Sequence, residues 1–303
     1  MPANRQTISF LTKRFAEVGL EPDSRHGQNF LIDLNLIRLL EETAELGPDD
    51  VVLEVGTGTG SLTALMAAKA AHVVTVEIDS HLYQLAHEEL YDFDNITMLQ
   101  RDALRNKNNY HDEVLDQIRT QLSADPSRRF KLAANLPYNV ATPVISNLLL
   151  TDVTPGLMSV TIQKELAERI VARPRTKDYS ALSVWIQSQC RAEIVRIMPP
   201  SVFWPRPKVE SAILRIEPDP EMRQRIPDLV YFHRFARAMF FHRRKFLRSE
   251  LLSAFKKRVD KPTVDQVMED LGLLPNARAE ELPVETLLAL CEAMRAIVPD
   301  LKL

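Results

Sequence analysis

Short β-branched apolar runs alternate with amphipathic stretches along the first two-thirds of the chain. Residues 51–55, 72–77, 96–99, 130–134 and 157–163 read as strands, and stretches such as 62–71 and 82–90 between them carry helical spacing. Such alternation predicts a parallel sheet with helices wound on both faces. Strand character returns at 192–197 and 209–216 with no clear helix between the two, which predicts a hairpin closing the sheet. The expected fold class is α/β, a doubly wound Rossmann-like sheet of seven strands.

Beyond Pro218 and Pro220 the pattern turns helical and stays so, punctuated by Pro262, Gly272, Pro275 and Pro283. The expected division is a domain over 1–217 and a smaller C-terminal all-helical domain over 221–303. A chain of 303 residues, 45% apolar and 26% charged, has apolar side chains enough for both. Cys190 and Cys291 match no metal-ligand or redox spacing, so they are expected in the core of a protein kept reduced, and no metal is called for. No apolar run approaches the roughly 18 residues of a membrane span, and the first residues lack the apolar stretch that directs export. A cytoplasmic protein with no membrane partner is the expectation.

Of eight glycines, three fall in Gly56-Thr57-Gly58-Thr59-Gly60, directly after the strand 51–55. Glycine concentrated there implies close approach of backbone to a ligand, and a strand-to-helix turn at the carboxyl edge of a doubly wound sheet is where such folds bind one. Glu77, in Val76-Glu77-Ile78-Asp79 at the end of the next strand, suits the ribose of a dinucleotide or of S-adenosyl-L-methionine equally well. Glu54 separates the two. A carboxylate just before the glycines repels a pyrophosphate and attracts an ammonium or sulfonium. Asp102, after the third strand, can accept from the adenine amino group of that cofactor or cap a helix; with Glu77 at the preceding strand end, the cofactor role is preferred. The sheet is then expected to be of methyltransferase type.

Asn135-Leu136-Pro137-Tyr138 ends the fourth strand. An exocyclic amino nitrogen on a nucleobase is a poor nucleophile because its lone pair is delocalised into the ring. Two acceptors aimed at its hydrogens draw it toward tetrahedral geometry. The Asn135 side-chain oxygen and the Leu136 carbonyl can supply them, with Pro137 fixing the backbone and Tyr138 stacking on the base. No strong general base is needed, since the amino proton becomes acidic once the methyl has transferred. Adenine and cytosine both remain admissible. Phe203, in the proline-held stretch Val202-Phe203-Trp204-Pro205, is a candidate to stack on the other face of the base, or else an ordinary core residue. The target must be unpaired or flipped, because bases inside a duplex are inaccessible.

A net charge of −3 argues against a protein that simply coats nucleic acid, but the distribution is uneven. Residues 231–261 hold ten Lys/Arg (Arg234, Arg237, Arg243, Arg244, Lys245, Arg248, Lys256, Lys257, Arg258, Lys261) against Glu250 and Asp260, so 10 − 2 gives a local charge of +8. On one continuous helix, Phe232, Phe235, Ala236, Met239 and Leu247 share a face, and Arg234, Arg237, Arg244, Lys245 and Arg248 share the opposite one, able to lie on RNA phosphates. Arg243 falls on the apolar side of that wheel. Either the helix breaks near Phe241-His242, or this guanidinium is buried against a partner.

Several of these motifs, in this order, resemble the ribosomal RNA adenine dimethyltransferases over nearly the whole chain, and more closely their bacterial small-subunit branch than the antibiotic-resistance branch. The resemblance rests on Gly27-Gln28-Asn29-Phe30-Leu31-Ile32-Asp33, the glycine loop, Glu77, Asp102, the 135–138 tetrapeptide, Gln163-Lys164-Glu165-Leu166-Ala167-Glu168-Arg169 and Pro205-Arg206-Pro207-Lys208-Val209-Glu210-Ser211. It implies cofactor contacts at Asn29, Leu31, Gly56, Glu77, Asp102 and Asn135. It also implies transfer of two methyl groups to each of two adjacent adenines in a 16S rRNA hairpin loop, within an immature 30S particle, by a protein that is a monomer when free. Thr57 stands where relatives often have proline, Arg25-His26 replaces a more usual approach to Gly27, and Ala141 replaces a frequent serine. The competing expectations are a resistance-type enzyme acting on large-subunit RNA, an assembly factor with a vestigial site and, least favoured, a dehydrogenase.

Overall fold

In a computed structural model of the chain, residues 7–20 and 28–301 are described, so Gly27, Arg25 and His26 lie outside the described residues. Seven strands form the central sheet: β1 (Asp50–Val55), β2 (His72–Glu77), β3 (Ile96–Gln100), β4 (Arg129–Asn135), β5 (Leu157–Gln163), β6 (Cys190–Met198) and β7 (Ser211–Pro218). Their spatial order is β3-β2-β1-β4-β5-β7-β6. β1 to β5 run parallel, and β7 is antiparallel to β5, so the closing pair reverses on itself and its later strand lies inside. Each expected strand is present, with ends moved by up to two residues.

β1 is buried along its whole length because helices cover both sides of the sheet. Ile37 and Leu40 of the helix Leu34–Thr43, with Leu62 and Met66 of the helix Ser61–Ala67, pack on Val52, Val73, Ala133 and Ile213. The helix Asp112–Ser123 sets its buried Val114, Leu115 and Ile118 against β1 and β2. Helix starts are encoded locally: Asp33 accepts from the backbone N–H of Asn35 and Leu36, and Asp79 from His81 and Leu82. A second, two-stranded pairing matches Phe30 with Trp204 and Leu31 with Phe203. Its alternation sends Leu31 and Phe203 into the main core, while Phe30 and Trp204 meet Phe15 of the helix Ile8–Val18 at ring separations of 5.0 and 5.5 Å.

The chain forms two compact units, and the boundary is not a single cut near Pro218. One unit comprises the described residues through Ala167 plus Glu193–Glu217; the other comprises Glu168–Ala192 and the described residues from Pro218 onward. The second is helical, and its core explains why it includes the earlier segment. Trp185, fully buried on the helix Ala181–Gln187, packs against Phe232 and His233 of the helix Leu229–Met239. Burial, reinforced by Arg237 and Arg234, pushes the His233 imidazole down to about 4, so it sits there neutral. Cys190 and Cys291 are buried thiols, both pushed up by burial. Among the described residues no helix is long and apolar enough to cross a membrane.

Candidate functional site

Strand order reverses between β1 and β4, and a cleft opens where their carboxyl ends part. The turn after β1 holds Gly56, Gly58 and Gly60 at φ of +88°, +58° and +81°, a region in which side-chain-bearing residues are strained. Gly56 N donates to Val76 O at 2.8 Å, which ties the loop to the end of β2. A Cβ on Gly56 would stand 3.3 Å from Pro137 Cδ, and one on Gly58 would stand 3.4 Å from the Phe30 ring. The glycines therefore let two distant segments of chain close on the loop.

Glu77 lines the cleft, and its two oxygens accept from the backbone N–H of Gly58 at 2.9 Å and of Asp79 at 3.0 Å. Burial pushes its carboxyl above the usual range, and those N–H groups pull it partly back. Asp102 also lines the cleft, with Oδ1 accepting from Leu104 N at 2.9 Å; it precedes a short hairpin, so it caps no helix. Glu54 departs from expectation. It lies under the glycine loop instead of facing the main cleft, in a smaller cavity shared with Leu31, Gly56, Gly58 and Asn135. Burial pushes its carboxyl up to about 8, against the bonds that Thr63 Oγ1 and Thr75 Oγ1 donate at 2.6 Å each. Thr57, the residue standing in place of proline, sets its hydroxyl 2.6 Å from that of Thr75 and extends this buried chain.

Asn135 closes β4, and its Nδ2 donates to Asn29 O at 2.9 Å. One of the two amide N–H groups is thus engaged, which fixes the orientation of the amide, with Oδ1 as the acceptor of a side chain that lines the cleft. Leu136 N donates to Thr161 O at 3.1 Å and Val140 N to Pro137 O at 3.1 Å, so the tetrapeptide is fixed to β5 and to its own turn. Tyr138 is part-buried at the wall, its hydroxyl 2.6 Å from Ser211 Oγ. Burial raises its phenol above the usual value, so it stays protonated.

An oriented amide acceptor lining a cleft at the switch point of the sheet suits amino-group methyl transfer, and the sequence comparisons name the family. The family model of the ribosomal RNA adenine dimethylases matches residues 21–295. The chain belongs to that family. It is 38% identical over 278 residues to ribosomal RNA small subunit methyltransferase A of Lactiplantibacillus plantarum, with 91% of each chain covered. To the Clostridium botulinum protein of the same name it is 37% identical over 259 residues, covering 86% of this chain and 89% of the other. A Plasmodium falciparum dimethyladenosine transferase shares the fold at a TM-score of 0.71, with 23% identity and 88% and 97% of the two chains covered. The 23S rRNA methyltransferase ErmE superposes at a TM-score of 0.60, with 26% identity and 87% and 98% covered. This rRNA adenine dimethylase is an S-adenosylmethionine-dependent enzyme that methylates adenine N6.

The cleft of the dimethylase fits that donor. Buried Glu77, steadied by two N–H groups, suits ribose hydroxyls, and Asp102 suits an adenine amino group. Ile78, 51% exposed in the same cleft, offers an apolar plate for a ring. Ile78 was not singled out from sequence, although an apolar residue caught between Glu77 and the helix-capping Asp79 is the signal that could have found it. Arg101 also lines the cleft; it donates to His111 Nδ1 at 2.8 Å and pairs with Glu113. Of the expected site residues, the cleft gathers Asn29, Gly56, Glu77, Asp102, Asn135, Leu136, Pro137 and Tyr138. Two fall elsewhere. Leu31 backs the glycine loop from the core side, and Phe203, 2% exposed, lies in the core cluster with it. Phe203 is therefore corrected from a stacking ring to a packing one, because its pairing with Leu31 turns the ring inward.

The continuous basic helix is also corrected. The helix Leu229–Met239 ends at Phe240, and the next, Leu247–Ala254, starts after a turn that carries Arg243, Arg244 and Lys245. Arg234 and Arg237 are exposed on the first helix, Arg244 and Lys245 on the turn. Arg248 is engaged by Asp265, its Nη2 2.7 Å from Oδ2, and Arg234 Nη1 donates to Leu301 O at 3.1 Å. Arg243 answers both alternatives: the helix breaks, and the guanidinium bonds to Glu280 and to the carbonyls of Thr176 and Lys177.

Proposed function

We propose that this dimethylase acts on small-subunit rRNA, adding two methyl groups to N6 of each of two adjacent adenines in a hairpin loop of an immature 30S particle. The observation that carries the chemistry is the Asn135 amide, which a bond from Nδ2 to Asn29 O holds in one orientation, with Oδ1 as its acceptor. The small-subunit address rests on the names of relatives that are 36–38% identical over about nine-tenths of the chain, against 26% for the large-subunit enzyme ErmE. A cytoplasmic location and a monomer when free are part of the same reading.

The donor supplies an electrophilic methyl on a sulfonium sulfur. Glu77 and Asp102 hold its ribose and adenine, and the glycine loop accommodates the remainder without side chains in the way. At the target, Asn135 Oδ1 and the Leu136 carbonyl accept the two amino hydrogens before the first transfer, and one of them accepts the single hydrogen that remains before the second. This returns the lone pair to nitrogen and aims it away from the acceptors. Tyr138 holds the base by stacking. After transfer the nitrogen carries positive charge and its proton is acidic, so the Asn135 amide need only guide it out. Arg234, Arg237, Arg244 and Lys245 supply positive charge for rRNA phosphates.

The test is to incubate the protein with labelled donor and, separately, undermethylated small and large ribosomal subunits. Label entering dimethyladenosine in the small-subunit RNA is expected. Label confined to the large subunit would contradict the reading in favour of the resistance-type enzyme, and label in neither would favour the assembly factor.

A further inference from the structure

Two family-patterned stretches, 163–169 and 205–211, have no part in the chemistry so far. They meet beside Tyr138. Ser211 pairs with Gln163 across β7 and β5, Lys164 N donates to Glu210 O at 3.0 Å, and Lys164 Nζ lies 2.6 Å from Glu210 Oε2. This double clasp locks the start of β7 to the end of β5. Ser211, which is fully buried, thereby holds its Oγ 2.6 Å from the Tyr138 hydroxyl.

Tyr138 sits on the loop between β4 and the helix Ala141–Leu148, where backbone alone does not set the ring. A tyrosine has two side-chain torsions. The hydroxyl oxygen lies on the Cβ–Cγ axis, so fixing it with Cβ settles the first torsion, and the preference of a phenol for hydrogen bonds in its ring plane biases the second. We infer that Ser211 is a positioning residue: clasped in place by Lys164 and Glu210, it holds the phenol hydroxyl and so pre-sets the direction of the Tyr138 ring, and biases its plane, where the target base docks. The inference rests on the stacking role given to Tyr138 above. A ring already oriented spares the base the entropy of ordering it, so the gain falls on productive docking of RNA and leaves donor binding alone. The Pro205–Ser211 stretch would then act through Ser211, the first residue of β7.

The test compares Tyr138→Phe, Ser211→Ala, the double variant and Tyr138→Ala, measuring methyl-transfer rates against RNA concentration and, by calorimetry, the Kd for S-adenosylmethionine. Tyr138→Phe keeps the ring and removes only the tie, so it remains informative if Ser211→Ala folds poorly. Loss of one such bond should lower kcat/KM for RNA by about tenfold in either single variant, with the Kd for the donor unchanged. The double variant should be no worse than either single one. Wild-type kcat/KM in Tyr138→Phe, with Tyr138→Ala inactive, would overturn the tie and leave the stacking role standing. Multiplicative losses in the double variant would overturn it as well. Full activity in Tyr138→Ala would instead remove the stacking role on which the tie depends.

Discussion

Asn135 Nδ2 donates to the backbone carbonyl of Asn29 across 106 residues of sequence, at 2.9 Å. One bond thus joins the segment before the first core helix to the end of β4 and fixes the orientation of the amide. An Asn135→Ala variant should lose methyl transfer by about a hundredfold or more, the usual effect of deleting one pre-organised group of an active site. Asn135→Asp should fall comparably, because a carboxylate oxygen facing the Asn29 carbonyl replaces attraction with repulsion. Steady-state rates with donor binding measured in parallel check this; activity within a few fold of wild type in Asn135→Ala would contradict it.

Gly56 tests the close approach of the loop to the tetrapeptide. Alanine there must adopt φ +88° and place a Cβ 3.3 Å from Pro137 Cδ. A loss of roughly 1–3 kcal/mol is expected from the backbone alone, together with weaker donor binding as Pro137 is displaced. Gly19, at φ +68° and with open space for 4 Å around the place a Cβ would take, is the control. Gly19→Ala should cost stability and leave the Kd for S-adenosylmethionine unchanged.

Glu54 makes stability depend on pH. Its folded value, about 8, exceeds the ordinary glutamate value, so the folded state holds a proton that the unfolded chain has released. Stability is therefore lost as pH rises through the interval between roughly 4.3 and that value. Glu54→Gln should match wild type below the interval and exceed it above, by an amount on the order of a few kcal/mol. Thermal unfolding of both proteins across pH is the check, and a difference that does not vary with pH would contradict it.

The positive charge that survives intramolecular pairing bears on RNA. Arg248 is already engaged by Asp265, whereas Arg244 and Lys245 lie exposed on the turn between helices. Replacing Arg244 and Lys245 with alanine should weaken RNA binding and lower the slope of log affinity against log salt by roughly one to two. Arg248→Ala should change the slope less. An unaltered slope in the Arg244/Lys245 double variant would remove that turn from the interface.

The sheet was legible because its signal is local: runs such as 51–55 and 72–77 are buried on both sides and carry continuous apolar character. The glycines, Glu77, Asp102 and the 135–138 tetrapeptide were legible because each closes a strand. What depended on tertiary pairing was not. Phe203 reads as a loop aromatic until its register with Leu31 buries it. The basic stretch reads as one helix because no proline or glycine marks the break after Met239, yet Arg243 bonds to Glu280 and to carbonyls from 176–177 only if the chain turns there. Likewise the segment 168–192 joins the helical unit through Trp185, a contact with no signature in the linear pattern.

The most direct measurement is mass-spectrometric mapping of N6,N6-dimethyladenosine in rRNA from cells lacking this gene, complemented with the wild-type chain or with Asn135→Ala. Two adjacent dimethyladenosines in the small-subunit RNA, restored by wild type and absent with Asn135→Ala, are the expected result. Their restoration by Asn135→Ala, or their appearance only in large-subunit RNA, would contradict the account.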